Sequence, residues 1–185
     1  MPPLPSLHAS PAAGFDQPFE LLAACHGRMV RTLALLARLG AHIAAQGCDA
    51  QARDAAADIL RYFDIAAPLH HEDEELHVLP RLRAQGQGAL ADQLLAEHRE
   101  MELAWAGLRV DLLAIQDASL NLATLAEARA RWARFEALYG THMQAEDGEA
   151  YPRAIASMAE AEARAMGQEM ARRRGVRYPD PDPAA

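Results

Sequence analysis

Two pentapeptides in this 185-residue chain carry the same pair of donor side chains at the same spacing: His70-His71-Glu72-Asp73-Glu74 and His142-Met143-Gln144-Ala145-Glu146. A histidine followed four residues later by a glutamate puts an imidazole and a carboxylate one turn apart on one helix face, which is how a helix offers two ligands to a metal ion. Each pair is also followed, six residues past its glutamate, by a proline, in Leu79-Pro80 and Tyr151-Pro152. With 26 acidic residues and 11 prolines in 185 positions, a random histidine meets both conditions with a probability of about 0.008. Two such matches among eight histidines favour a repeated device over coincidence.

Helices must position these residues. After an arm expected to be disordered over residues 1–14, apolar side chains take up the helical period at Phe19, Leu22, Met29, Leu33 and Leu36 and run to Gly47, a C-cap. Asp49 is an N-cap for a second segment that carries Ile59, Leu60 and Phe63 to about Leu82, with Pro68 expected to bend it just before His70. Gln85-Gly86-Gln87-Gly88 reads as a turn, and a third helix from about Ala89 to Ile115 sets Leu94, His98, Trp105, Leu108 and Leu112 on one stripe. Thr124-x-x-Glu127 reads as a capping box for a fourth helix through Leu125, Phe135, Leu138, His142 and Glu146. Ser157-x-x-Glu160 reads as the start of a shorter fifth, ending near Gly175 before a tail over residues 176–185 expected to be disordered. The fold class is therefore all-α, an up-down-up-down four-helix bundle with a short C-terminal fifth helix, forming one domain over residues 15–175.

Composition narrows the partners. A net charge of −8, with acidic residues spread along the chain, argues against nucleic acid and against anionic membrane surfaces. Cys25 and Cys48 form no Cys-x-x-Cys pair, so neither a disulfide framework nor a thiolate metal site is expected. The first fourteen residues hold no Lys or Arg and do not read as a secretory signal, so the expected setting is the cytoplasm. A homodimer is compatible with this reading.

The stripes decide which polar residues point inward. His26 shares a face with Leu22, Met29 and Leu33, and His98 shares one with Leu94 and Leu112, so each long helix points one histidine at the core. Glu74 and Glu146, buried without partners, would cost several kcal/mol each. A dinuclear metal centre answers both difficulties, and imidazole with carboxylate suits iron or manganese. His71 and Glu75 lie one step around the helix from His70 and Glu74; aligning Pro80 with Pro152 selects His70 and Glu74, leaving His71 as a possible additional ligand. Glu72 and Asp73 are expected to be solvated, and His77 to lie at the surface or beside the ligands. His42 should face away from His26 unless Gly40 breaks the helix, and it stays a possible ligand on that condition. Tyr62, Tyr139 and Thr141 are candidate donors to the ligands.

Taken together, His26, the His70-His71-x-x-Glu74-Glu75 segment with its Leu79-Pro80 ending, Glu97-His98 and His142-x-x-x-Glu146 resemble the hemerythrin-like, or HHE cation-binding, domains over about Asp16 to Pro152. The resemblance implies two iron ions in an oxo- or hydroxo-bridged centre, with His26 and His70 on one, His98 and His142 on the other, and Glu74 and Glu146 bridging. Oxygen carriers of this kind have a second histidine four residues after the helix-three ligand, and this chain has Glu102 there, a possible carboxylate ligand. The function expected from the resemblance is binding or sensing of a small ligand (oxygen, nitric oxide or peroxide) or of iron or redox state. The alternative is a di-iron peroxidase or oxidase, or an iron donor for iron-sulfur cluster repair.

Overall fold

A computed structural model describes residues 13–179, and every described element is helical. His8 and most of the expected arm and tail lie outside the described residues. In chain order the elements are α1 (Pro18–Gln46), α2 (Ala50–Arg61), α3 (Ala67–His77), α4 (Leu79–Ala84), α5 (Gly88–Gln116), α6 (Leu125–Ala145), α7 (Tyr151–Ala156) and α8 (Glu160–Arg173). A single π-helical turn joins α2 to α3 over Tyr62–Ala66, and another joins α6 to α7 over Glu146–Ala150. The expected rods are thus α1, α2 to α4, α5, and α6 to α7, with α8 as the fifth helix, and the fold is a helical bundle. No helix among the described residues is long and apolar enough to cross a membrane.

The chain divides into two compact units, residues 25–157 and a smaller one built from the two ends. In the larger, α5 packs against α2, α4 and α6. Its core joins Met29, Leu33, Leu36 and Ile43 of α1 to Ile59, Phe63, Leu108, Leu112, Trp132, Phe135 and Tyr139. The Phe63 ring meets Trp105, Phe135 and Tyr139 with centroids 5.0–5.4 Å apart, the spacing of favourable aromatic pairs. Aliphatic and aromatic burial of this extent is what holds helices of mixed propensity in register.

In the smaller unit Phe19, Leu22, Met166 and Met170 are buried. Gly167 is required there, because a Cβ at that position would stand 1.7 Å from the carbonyl oxygen of Phe15.

Helix ends follow the sequence in some places and depart from it in others. Gly47 closes α1 at φ +77°, and Asp49 accepts from the Ala52 N–H at 2.9 Å, as expected of a left-handed C-cap and a side-chain N-cap. Thr124 does precede α6, but its hydroxyl donates to the Asn121 carbonyl within a short 3₁₀ turn, so no capping box forms. Ser157 likewise turns its hydroxyl to the Ala154 carbonyl and ends α7. Ala159 is the N-cap of α8, where Glu162 accepts from the Ala159 N–H at 2.8 Å.

The proline expected to bend the second rod is met differently from that expectation. Pro68 is the second residue of α3, and the strain is absorbed one turn earlier, where the Ala67 N–H reaches the Tyr62 carbonyl across the π turn. A residue inserted into the helical ladder rotates everything after it by about 100°. Pro152 repeats the arrangement as the second residue of α7, with the Tyr151 N–H on the Glu146 carbonyl. Pro80 instead follows a one-residue interruption at Val78. Proline has no N–H and its ring crowds the preceding turn, so either device removes the conflict.

Candidate metal centre

Four imidazoles from α1, α3, α5 and α6 converge in two pairs inside the larger unit. His26 and His70 bring their Nε2 atoms to 3.2 Å, and His98 and His142 bring theirs to 3.1 Å. Glu74 and Glu146 lie between the pairs, and each spends one oxygen on either side. Glu74 sets Oε1 at 3.2 Å from His70 Nε2 and Oε2 at 3.4 Å from His98 Nε2. Glu146 sets Oε2 at 3.2 Å from His26 Nε2 and Oε1 at 2.9 Å from His142 Nε2. The result is two four-residue sets, His26, His70, Glu74, Glu146 and Glu74, His98, His142, Glu146, with the donor atoms of each within 4.8 Å of one another. All six residues are buried, Glu74 completely.

The outward nitrogens explain why Nε2 points inward. Three of the four Nδ1–H groups donate to a carboxylate on another element: His26 to Asp147 at 2.9 Å, His98 to Glu75 at 2.9 Å and His142 to Glu97 at 2.7 Å. An imidazole held by Nδ1–H presents its Nε2 lone pair, the tautomer that binds a metal, and the carboxylate behind it makes that lone pair more basic. The fourth, His70 Nδ1, has no hydrogen-bond partner, and on the inner side neither Glu74 Oε2 nor either oxygen of Glu146 has one. Buried carboxylate oxygens in that condition are costly. A cation in each set would satisfy them, so the residues present fit a metal.

Neighbouring charges set the proton affinities of these groups. Burial opposes charge on His98, but the neighbouring Glu146 and Glu74 carboxylates outweigh it and raise its pKa to about 10. His70 is raised well above and His142 above the ordinary histidine value, each by neighbouring glutamates acting against burial. Burial and the Glu74 charge push Glu146 up, yet the neighbouring His142, His26 and His98 bring it down to about 2. Glu74 is held well below the usual carboxylate range, since His70 and His98 outweigh its burial.

Tyr151 completes this core. Its hydroxyl donates to Glu74 Oε1 and lies 3.1 Å from His26 Nε2, while its ring stacks on His26. The sequence marks Tyr151 only as the neighbour of Pro152, and it is the π turn over residues 146–150 that carries it inward. Glu75, Glu97 and Asp147 had a signal that went unread: each is the chain neighbour of an inward ligand, one step off the stripe and therefore aimed at an adjacent helix.

The remaining candidates fall elsewhere. His71 belongs to neither set; it is buried, stacks on His98 at a 4.2 Å centroid distance and lies 3.5 Å from the Tyr139 hydroxyl. Burial first, and then the neighbouring His98, lower its pKa to about 3, so it is neutral at pH 7. Glu102 is outside both sets and exposed, lining a cavity beside His71 and Tyr139. His42 is also outside them: α1 runs unbroken through Gly40, and His42 pairs with Asp49 at 2.9 Å. His77 is half-buried at the end of α3. Asp73, expected to be solvated, is buried, because it follows His70 by three residues and so shares its face. Tyr62 donates to the Cys25 carbonyl at 3.3 Å, and Thr141 donates within its own helix to Ala137.

A helical bundle that buries imidazoles and carboxylates in this way is a cation-binding protein. The family model of the Hemerythrin HHE cation binding domain matches residues 17–154, and the chain belongs to that family. A protein of Haemophilus influenzae, described as an uncharacterized protein, is 35% identical over 103 residues. The match covers 54% of this chain and 59% of that relative, so the chain spans under two thirds of its length.

Proposed function

We propose that the chain is a non-haem di-iron protein that binds or senses a small ligand such as oxygen or nitric oxide, or the iron and redox state of its surroundings. The observation that carries this reading is the division of labour at Glu74 and Glu146, each of which offers one oxygen to the His26/His70 pair and the other to the His98/His142 pair. Two sets joined by two shared carboxylates form one dinuclear site. His26 and His70 would hold one ion, His98 and His142 the other, with both glutamates common to the two. The absence of thiolate from both sets suits iron or manganese over a structural zinc.

When bound, the iron pair supplies an open coordination position and one-electron redox chemistry to a small ligand. The chain's own residues shape access to it. A cavity of about 40 Å³ lies against His71, which stacks on His98, and is walled by Phe63, Met101, Glu102, Trp105 and Tyr139. That is room for one or two molecules the size of water. The Tyr151 hydroxyl holds Glu74 in place by donating to its Oε1.

The test is the absorption spectrum of the protein after anaerobic loading with ferrous iron and exposure to air. Charge-transfer bands of a bridged ferric pair are expected, and a featureless visible spectrum at full iron occupancy would count against a dinuclear site. A second reading, a di-iron redox enzyme acting on peroxide or an iron donor, is favoured by Glu102, which lines the cavity where an oxygen carrier would have an imidazole. A more anionic surround stabilises ferric iron and disfavours reversible oxygen binding. Multiple turnovers of hydrogen peroxide, or iron transfer to an apo-cluster protein, would establish this second reading over the first.

A further inference from the structure

Large apolar side chains that reach solvent are scattered over the chain, except on α5. Among the described residues eight are exposed, and three of them, Leu103, Val110 and Leu113, belong to this helix. The other five, Val30, Ile65, Leu76, Ile155 and Val176, each fall on a different segment. Leu103 is 78% and Val110 65% exposed. At about 100° per residue these three share a sector of roughly 120° with Ala106, Gly107 and Ala114, and no charged residue between 100 and 116 enters that sector. A stripe of this width is the face that a helix turns toward another element. Gly107 has nothing within 4 Å of the place a Cβ would take. Glycine inside a helix costs about 0.5–1 kcal/mol relative to alanine, and no contact within the described chain calls for it there. Beside Ala106, it leaves room for a second backbone to come close.

The stripe is closed by charge at both ends. Arg99 and Asp117 are eighteen residues apart, so they stand on one line of the helix about 27 Å from each other. Both are exposed, and neither side chain is in an ion pair with a described residue. Turned end for end about an axis level with Leu108, this face meets itself. Arg99 then comes level with the partner's Asp117, Leu103 with the partner's Leu113 and Ala106 with the partner's Val110, and the axis repeats each pairing. The chain as a whole has a net charge of −8, which opposes self-association. This face instead carries one charge of each sign, placed so that two copies complement each other.

We propose that the exposed face of α5 is the contact of a two-fold homodimer, in which the α5 helices of two copies pack antiparallel and two Arg99–Asp117 ion pairs close the ends. A crossing of about 20° keeps the helices together along the whole stripe. His98 is buried on another side of α5, so the pairing leaves the histidine and glutamate sets as they are, and the proposal stands whether or not two irons bind. One helix from each copy makes a small interface, so the dissociation constant is expected to be roughly micromolar.

The experiment is analytical ultracentrifugation of the full chain from about 1 to 300 μM. The wild type is expected to pass from the chain mass of 20.1 kDa to twice that mass. Val110→Glu sets a carboxylate from each copy beside the axis and is expected to stay monomeric, with helix content unchanged by circular dichroism. Leu103→Gln, a milder change at an exposed position, is expected to weaken association about tenfold. Arg99→Asp and Asp117→Arg should each raise Kd about tenfold, and the two together should return it to the wild-type value. That rescue reads the antiparallel register, which a nonspecific apolar contact would not show. A wild type that is monomeric throughout means that the face serves another occupant and overturns the proposal. A dimer that survives both Val110→Glu and Leu103→Gln unchanged, or a double reversal no tighter than the single ones, overturns it as well.

Discussion

The two ends of the centre have the same inner donors and different surroundings. At the His98/His142 end both imidazoles are held by carboxylates, Glu75 and Glu97, and His71 packs flat on His98. At the His26/His70 end one imidazole is held by Asp147, which is half-exposed, the Nδ1 of the other has no hydrogen-bond partner, and Tyr151 inserts its hydroxyl between His26 and Glu74. The first end is built for rigid, basic ligands and the second for weaker ones with a proton donor close by. Inner ligands alone would make the two positions equivalent; their outer partners make them different.

Removing what the ends share should have the largest effect. Glu74→Gln or Glu146→Gln deprives both sets of a carboxylate oxygen, and each variant is expected to fall from two irons per chain to below one, read by elemental analysis after reconstitution. Retention of one full equivalent would mean that the ends are independent sites. His98→Ala and His26→Ala come next, each expected to lose the ion at its own end and keep about one per chain. A loss of both ions from either variant would show that occupancy is cooperative and would break the comparison. Tyr151→Phe removes a hydroxyl and no ligand, so it should keep both irons while the affinity of the His26/His70 end drops about tenfold and that of the other end holds.

Protonation gives the smallest and most diagnostic effect. In the metal-free protein His98 has its pKa raised to about 10 from an ordinary 6.5, so its contribution to stability is complete below pH 6.5 and is lost as pH rises through 10. His71 is depressed to about 3, so its contribution is present above 6.5 and is lost as pH falls through 3. Glu146, lowered to about 2 from 4.5, adds a further loss as pH falls from 4.5 through 2. Melting temperatures of the chelated protein are therefore expected to peak near pH 6.5 and to decline on both sides. With iron bound the imidazoles are already deprotonated, so the alkaline decline should disappear and metal uptake at neutral pH should release protons. A chelated protein that grows more stable between pH 6.5 and 9 would contradict the raised proton affinity of His98.

Much of this was legible in the chain. The i,i+4 pairs, the apolar stripes around His26 and His98, and the capping signals at Gly47 and Asp49 are local rules, and the structure follows them. The proline alignment selected His70 over His71, and only His70 enters a four-residue set. What was not legible depended on rotation. Nothing in the sequence announces the π turns at Tyr62–Ala66 and Glu146–Ala150, and each shifts the helical face by an extra residue, so Tyr151 could not be placed. Thr124 and Ser157 match a capping pattern whose geometry the flanking turns do not permit. Glu75, Glu97 and Asp147 sit beside the stripes, where periodicity alone gives them no partner; only the packing of neighbouring helices shows that each has an imidazole within reach.

The central claim is that Glu74 and Glu146 join four histidines into one site for two ions. The most direct measurement is anaerobic titration of the metal-free protein with ferrous iron, read as iron bound per chain after removal of the excess. Two equivalents are expected in the wild type. Saturation at one, or no retained iron, would contradict a shared dinuclear centre.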